Sequence, residues 1–319
     1  MYYSDTTWKA VQNYLPEQSR LNDKTLPNEV FLRLSDKNSI HLDIYPCEEP
    51  KATIILFHGV GGNGRLLSFL AVPLHKSGYE VICPDLPLYG YSESHGTVTY
   101  ETWVADACEM VLHYIKEGRS VFLFGLSAGG LLAYQTACHI PSVRGVLATC
   151  ILDQRQREIT KKTASNPLAV KWGLPAAASF SRVFPNLKVP VKWVANMKAI
   201  VNNDQLASIL MKDKRACGAS VSLAFLYTML NPVIPMEPEA FTLPFALLHP
   251  ELDRWTDLSL SQPFYDKLSG EKELHIINNA GHFPIEEEGL KDLVEKSISF
   301  IEKIRSIEVP LQSNDSVSV

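Results

Sequence analysis

The chain lacks the usual helical means of reaching or crossing a membrane. Residues Met1 to Lys9 show no basic stretch followed by an apolar one, and nowhere do about 18 to 20 apolar residues run uninterrupted. The cytoplasm is therefore the expected compartment. It also lacks a basic field: 30 Lys and Arg stand against 35 Asp and Glu, the net charge is −5, and no Lys/Arg-rich run occurs. That argues against a nucleic-acid or polyphosphate partner. The six cysteines (Cys47, Cys83, Cys108, Cys138, Cys150 and Cys217) form no C-x-x-C pair and sit mostly in apolar segments, as reduced core residues do. Nine histidines are present without an H-E-x-x-H or a ligand-spaced cluster, so no metal is expected. What is abundant is apolar surface: 46% of 319 residues are hydrophobic and 20% charged, which excludes wholesale disorder and permits a large core.

The most informative segment runs Phe122-Leu-Phe-Gly125-Leu-Ser127-Ala-Gly129-Gly130. An apolar strand enters Gly-x-Ser-x-Gly and a helix-compatible run, Leu131 to Ile140, leaves it. Such a nucleophile elbow exposes a serine oxygen on a tight turn and sets the start of a helix beside developing negative charge. Gly125 and Gly129 would relieve crowding there. The competing reading is a chance Gly-x-Ser-x-Gly in a loop, which the flanking strand and helix disfavour.

Around this segment the pattern alternates. Val30–Leu34 and Ile40–Ile44, joined by a polar turn, predict an edge hairpin. Strands are expected at Ala52–Phe57, Glu80–Cys83, Val121–Gly125 and Gly145–Thr149, with helices at Leu66–Lys76 and Thr99–Glu117 between them. Strands alternating with helices imply right-handed βαβ units and a mostly parallel sheet. The alternation lapses over residues 151–243, rich in helix formers and proline, and resumes with Phe245–His249, Glu273–Ile277 and an amphipathic helix from Ile285 to Ile304. The expected organisation is a helical N-terminal extension (1–28), an α/β core (29–150 and 244–306), a helical cap (151–243) inserted after the sixth strand, and a flexible tail (307–319).

A serine nucleophile needs a base, and the base an orienting acid, in the chain order Ser, Asp or Glu, His on this architecture. His282 follows the strand ending near Ile277, and Asp253 follows the one ending at His249. Glu251, Asp257 and Asp153 compete with Asp253 for the acid position. His249 and His275 read as core or sheet-surface residues, and Asp85 with Gly90 as a structural turn.

Together, His58-Gly-Val-Gly, Asp85-Leu-Pro-Leu-Tyr-Gly90-Tyr-Ser92, Gly125-Leu-Ser127-Ala-Gly129, Asp253 and Gly281-His282 resemble the α/β-hydrolase superfamily over about Val30 to Ile304. The chain looks most similar to the branch of monoacylglycerol lipases, lysophospholipases and serine aminopeptidase-type hydrolases. The resemblance implies an α/β-hydrolase fold and an oxyanion hole made by the backbone N–H groups of Val60 and Ala128, with His58 and Gly59 shaping the loop. It implies a serine hydrolase for esters with an apolar acyl group, requiring no cofactor, with a small-molecule ester or lipid as substrate. Trp172, Phe180, Phe184 and Phe225, with Trp193, Tyr227 and Met229, are candidates to line the acyl pocket, or equally to pack the cap on the sheet. The same residues would serve a thioesterase, an amidase or an acyltransferase. A ligand-binding protein on a hydrolase scaffold is the reading from another class. Apolar residues between Trp172 and Met197 further suggest transient contact of the cap with a membrane surface.

Overall fold

The computed structural model describes residues 1–165 and 178–307. Eight strands form one sheet in the order β1-β2-β4-β3-β5-β6-β9-β10, where β1 is Asn28–Arg33, β2 Ser39–Tyr45, β3 Thr53–Phe57, β4 Glu80–Pro84, β5 Val121–Gly125, β6 Gly145–Ala148, β9 Phe245–Pro250 and β10 Lys272–Ile277. The pairings β1 with β2 and β2 with β4 are antiparallel; all others in this sheet are parallel. This is the α/β-hydrolase fold that the family resemblance implies, with the mostly parallel sheet that the alternation of strands and helices predicts. Strands β3, β4, β5 and β6 are buried at every residue, because helices cover both faces of a parallel sheet, and so they read as unbroken apolar runs. The edge strand β1 instead leaves Val30 and Phe31 exposed.

Helices α1 (Thr7–Gln12), α2 (Ser68–Lys76), α3 (Tyr100–Lys116) and α4 (Ala128–His139) precede the long C-terminal helix Glu287–Ser306. Thr99 starts α3 with a reciprocal capping box to Thr102. Residues 151–243 intervene between β6 and β9. They carry the helices Arg157–Thr163, Val191–Val194, Asp204–Leu210 and Leu223–Leu230, and also an antiparallel pair, β7 (Lys188–Pro190) with β8 (Ser220–Ser222). The sequence reads this insertion as helical with little strand character, and this short pair is the strand content it does not reveal. Three-residue strands are too short to show a period-two pattern. The flexible tail expected from 307 onward lies, beyond Ile307, outside the described residues.

The N-terminal residues wrap back onto the core. Tyr2 and Trp8 are buried, their rings against the guanidinium of Arg65 at 4.7 and 4.8 Å. Arg65 is itself buried and donates to both carboxylate oxygens of Asp43 (2.6 and 2.8 Å) and to Glu29 Oε1 (2.7 Å). The Tyr2 hydroxyl donates to Asp85 Oδ1 (2.9 Å), which also accepts from the Gly64 amide (2.7 Å). Gly90 holds φ +56°, and a Cβ there would lie 2.0 Å from the Asp85 carboxyl, so the turn needs glycine.

Candidate active site

Because β3, β5, β6, β9 and β10 run parallel, the loops at their C-terminal ends emerge on one side of the sheet, where open α/β sheets bind ligands. Four of these loops build the site. Gly59 to Gly64 follow β3, Ser127 follows β5, Asp253 follows β9 and His282 follows β10.

Ser127 occupies the sharp turn itself, with φ 55° and ψ −125°, a backbone state costly for a residue bearing a side chain. Its neighbours over-determine that state. A Cβ at Gly125 would stand 2.0 Å from the carbonyl oxygen of Gly129, and one at Gly129 would stand 2.3 Å from that of Phe57. We expect Gly125→Ala to cost about 3 kcal/mol of stability, since backbone rather than a movable side chain must yield. A denaturant midpoint equal to that of the wild type would contradict this.

The loop after β3 is pressed against the elbow. A Cβ on Gly59 would fall 2.7 Å from Ser127 Cβ and 3.2 Å from the Ala128 nitrogen. The amides of Val60 and Ala128 donate no hydrogen bond among the described residues, and both residues border the same cavity as Ser127. His58 holds this loop from beneath. Its Nε2 accepts from the Leu86 amide (2.9 Å), so the proton sits on Nδ1, which donates to the Gly59 carbonyl (2.7 Å). Burial keeps the ring neutral by lowering its pKa to about 4.

His282 Nδ1 lies 2.8 Å from Asp253 Oδ2. Asp253 also accepts from the Trp255 and Thr256 amides (both 2.8 Å) and the Thr256 hydroxyl (2.7 Å). Burial alone would raise its pKa, but His282 and the Thr256 donors outweigh burial and hold it at about 2. Asp253 is therefore a carboxylate at any working pH. The Trp255 ring packs on His282 at 4.8 Å. His282 Nε2 is buried without a partner among the described residues, and His282 and Ser127 border one cavity. The competing acids are engaged elsewhere: Asp153 pairs with Arg155, Glu251 accepts from the Asn279 amide, and Asp257 caps the helix Leu258–Tyr265.

A cavity of ≈ 750 Å³, counting its open mouth, leads from Ser127 between core and insertion; Tyr100, Leu131, Leu152, Val194, Met229 and Trp255 are among its walls. Phe180 and Phe184 are more than half exposed, and Phe225 packs under Trp103 at 4.6 Å; none of the three borders this cavity. Trp172 lies outside the described residues. Met229 is one of the residues expected to line an acyl pocket, and Trp255 was findable, two residues beyond Asp253; the other walls come from separate segments with no shared motif. Among the described residues, Glu29, His41 and Asp43 stand at metal-ligand spacing, yet the Arg65 guanidinium already binds Glu29 and Asp43. A cation of the chain's own fills that place.

A family model described as serine aminopeptidase, S33, matches residues 48–289. The chain belongs to this family. Among relatives of this S33-family chain, the thermostable monoacylglycerol lipase of Bacillus sp. (strain H-257) is 32% identical over 95 residues, 30% of this chain. That match spans 38% of the lipase's own length. Two solved structures share the fold. One is a soluble variant of the Saccharomyces cerevisiae monoglyceride lipase in complex with a substrate analog, at TM-score 0.74 and 16% identity, covering 91% of this chain and 98% of that one. The other is the Paleococcus ferrophilus monoacylglycerol lipase, at TM-score 0.65 and 22% identity, covering 82% and 99%. No helix among the described residues is long and apolar enough to cross a membrane.

Proposed function

We propose that this S33-family chain is a serine hydrolase that cleaves carboxylic esters with an apolar acyl group through an acyl-enzyme on Ser127. The observation that carries the reading is the Asp253–His282 pair beside a serine on a strained turn, with two unpaired amides bordering the same cavity. His282 Nε2 takes the Ser127 proton as Oγ bonds to the ester carbonyl carbon. The amides of Val60 and Ala128 donate to the oxyanion, and the C–O bond then breaks with the proton passing to the leaving oxygen. Water, deprotonated by the same imidazole, releases the acid and restores Ser127. Asp253 fixes the tautomer with Nδ1 protonated and stabilises the imidazolium. Residues 151–243 act as the cap.

The test is mass spectrometry after a fluorophosphonate probe, together with p-nitrophenyl esters from acetate to palmitate. A single adduct on Ser127 with turnover is expected. No adduct and no turnover would leave a ligand-binding protein as the better reading. Thioesters and amides belong in the same assay, since the same residues would cleave them.

An exposed apolar patch supports a membrane-facing role for the cap. Phe180, Val183, Phe184, Leu187 and Trp193 are each 54% to 68% exposed, and exposed Arg182, Lys188 and Lys192 lie among them. The double variant Phe184→Asp with Trp193→Asp is expected to weaken binding to anionic vesicles by about tenfold or more while sparing turnover of a soluble ester. Unchanged vesicle binding would end this reading.

A further inference from the structure

The space around Ser127 is divided. A second, smaller cavity meets the first at Val60 and Ser127, the two residues that border both. Its walls include Leu66, Leu67, Leu126, Ile200, Leu210 and Phe283. The remaining polar side chains on it are already committed. His58 uses both ring nitrogens on backbone groups, and the buried Cys217 thiol donates to the Gly61 carbonyl at 3.1 Å. Burial pushes the Cys217 pKa up to about 12, so it adds no charge. Only Ser127 and His282, the reacting pair, bring unpaired side-chain polarity to this space.

His282 borders the smaller cavity and is absent from the walls of the larger. Its Nε2 must deliver the proton to the oxygen that leaves when the ester C–O bond breaks. The alcohol part of the ester therefore lies on the His282 side, and the acyl part in the larger cavity. We infer that the smaller cavity is an alcohol subsite for a short alkyl or aryl group, and that it selects against a polyol such as glycerol. A glycerol moiety there would face leucine, isoleucine and phenylalanine side chains and, for polar groups, only the backbone of Gly59, Gly61 and Gly62, whose Gly59 and Gly61 carbonyls already accept from His58 and Cys217; buried hydroxyls short of partners are disfavoured. The chain's substrates are then esters with apolar groups on both sides of the scissile bond, which separates it from the monoacylglycerol specificity in the names of its relatives.

This inference rests on the serine-hydrolase reading, and the experiment separates the two. Octanoate esters of methanol, butanol, benzyl alcohol and glycerol are compared on the wild-type chain at equal surface presentation, alongside fluorophosphonate labelling of Ser127. Because the acyl group is constant, differences in kcat/KM before acylation report the alcohol subsite. Butyl and benzyl esters are expected to exceed the glycerol ester by at least about tenfold. Ile200→Phe, which fills the cavity, should reduce kcat/KM for the butyl and benzyl esters by about tenfold more than for the methyl ester. The inference is overturned if Ser127 is labelled and the glycerol ester is turned over as well as the butyl ester. Labelling without turnover of any of these esters overturns it too. So does a filled cavity that shifts acyl-length preference and leaves alcohol preference untouched. Absence of labelling together with absence of turnover would instead remove the hydrolase reading beneath it.

Discussion

Ser127→Ala is expected to lower ester turnover by about 10⁴- to 10⁶-fold and to leave the melting temperature nearly unchanged. The two halves of this expectation have separate origins. The Ser127 Oγ makes no hydrogen bond among the described residues; the fold uses only its backbone, whose amide donates to Thr149 Oγ1 at 3.2 Å and whose carbonyl accepts from the Gly130 amide at 2.8 Å. Removing one oxygen therefore deletes the nucleophile without removing a structural contact. Alanine keeps the Cβ that Gly59 abuts, so the loop after β3 has no reason to move. Ser127→Gly should go further and stabilise the fold slightly, by about 1 kcal/mol, because glycine occupies positive φ without strain. Activity in Ser127→Ala near the wild-type level, with the adduct on another residue, would sink the proposed mechanism.

Asp253→Asn should cost about 10⁴-fold in kcat with the backbone intact. The carboxylate accepts four hydrogen bonds and donates none: two from backbone amides, one from Thr256 and one from His282. An asparagine must point its amide nitrogen at donors on one side or the other. If it faces His282, Nδ1 must give up its proton and Nε2 then carries one, which is the wrong tautomer for taking a proton from serine. The same substitution should lower stability by about 2 kcal/mol at neutral pH. The sign follows from the folded pKa of about 2, below that of a free aspartate. Such a group contributes stability that is present above its unfolded pKa and is lost as pH falls through the folded value. The stability difference between Asp253→Asn and wild type should hence shrink between about pH 4 and pH 2. A difference constant across that window would show that Asp253 is not the paired carboxylate described here.

The core of the fold was legible because burial on both faces turns β3, β5 and β6 into unbroken apolar runs, and because glycine is demanded where backbone meets backbone at residues 125 and 129. Ser127, Asp253 and His282 could be nominated from position alone, each just past such a run. Of the cavity walls beyond the catalytic loops, Met229 was nominated among the apolar residues of the insertion, and the others could not be. Leu131 belongs to α4, Leu152 to the segment after β6, Val194 to a four-residue helix and Met229 to another helix, so no local pattern joins them. Among the aromatic residues of the insertion, Phe225 packs on Trp103, the alternative held equally open, whereas Phe180 and Phe184 are more than half exposed. Phe180, Phe184 and Phe225 have the right chemistry, but whether a side chain faces solvent, a neighbour or a cavity depends on packing between segments far apart in sequence. The N-terminal wrap was equally hidden, since the link from Tyr2 to Asp85 joins residues that are 83 positions apart.

That wrap puts the beginning of the chain mechanically in series with the loop that would receive the oxyanion. Tyr2 and Gly64 pull on the same oxygen of Asp85, and Arg65 is clasped between Tyr2, Trp8 and two carboxylates. A single proteolytic nick in the stretch from Asn13 to Pro27 would leave every strand of the sheet intact. Departure of the cleaved N-terminal piece would nevertheless let water reach a guanidinium that the fold has sealed away, and slacken the tether on Gly64. Loss of function would then precede loss of the sheet, so a preparation could keep its far-UV circular dichroism and still be dead, with the fluorescence of the newly exposed Trp8 as the sign of the damage.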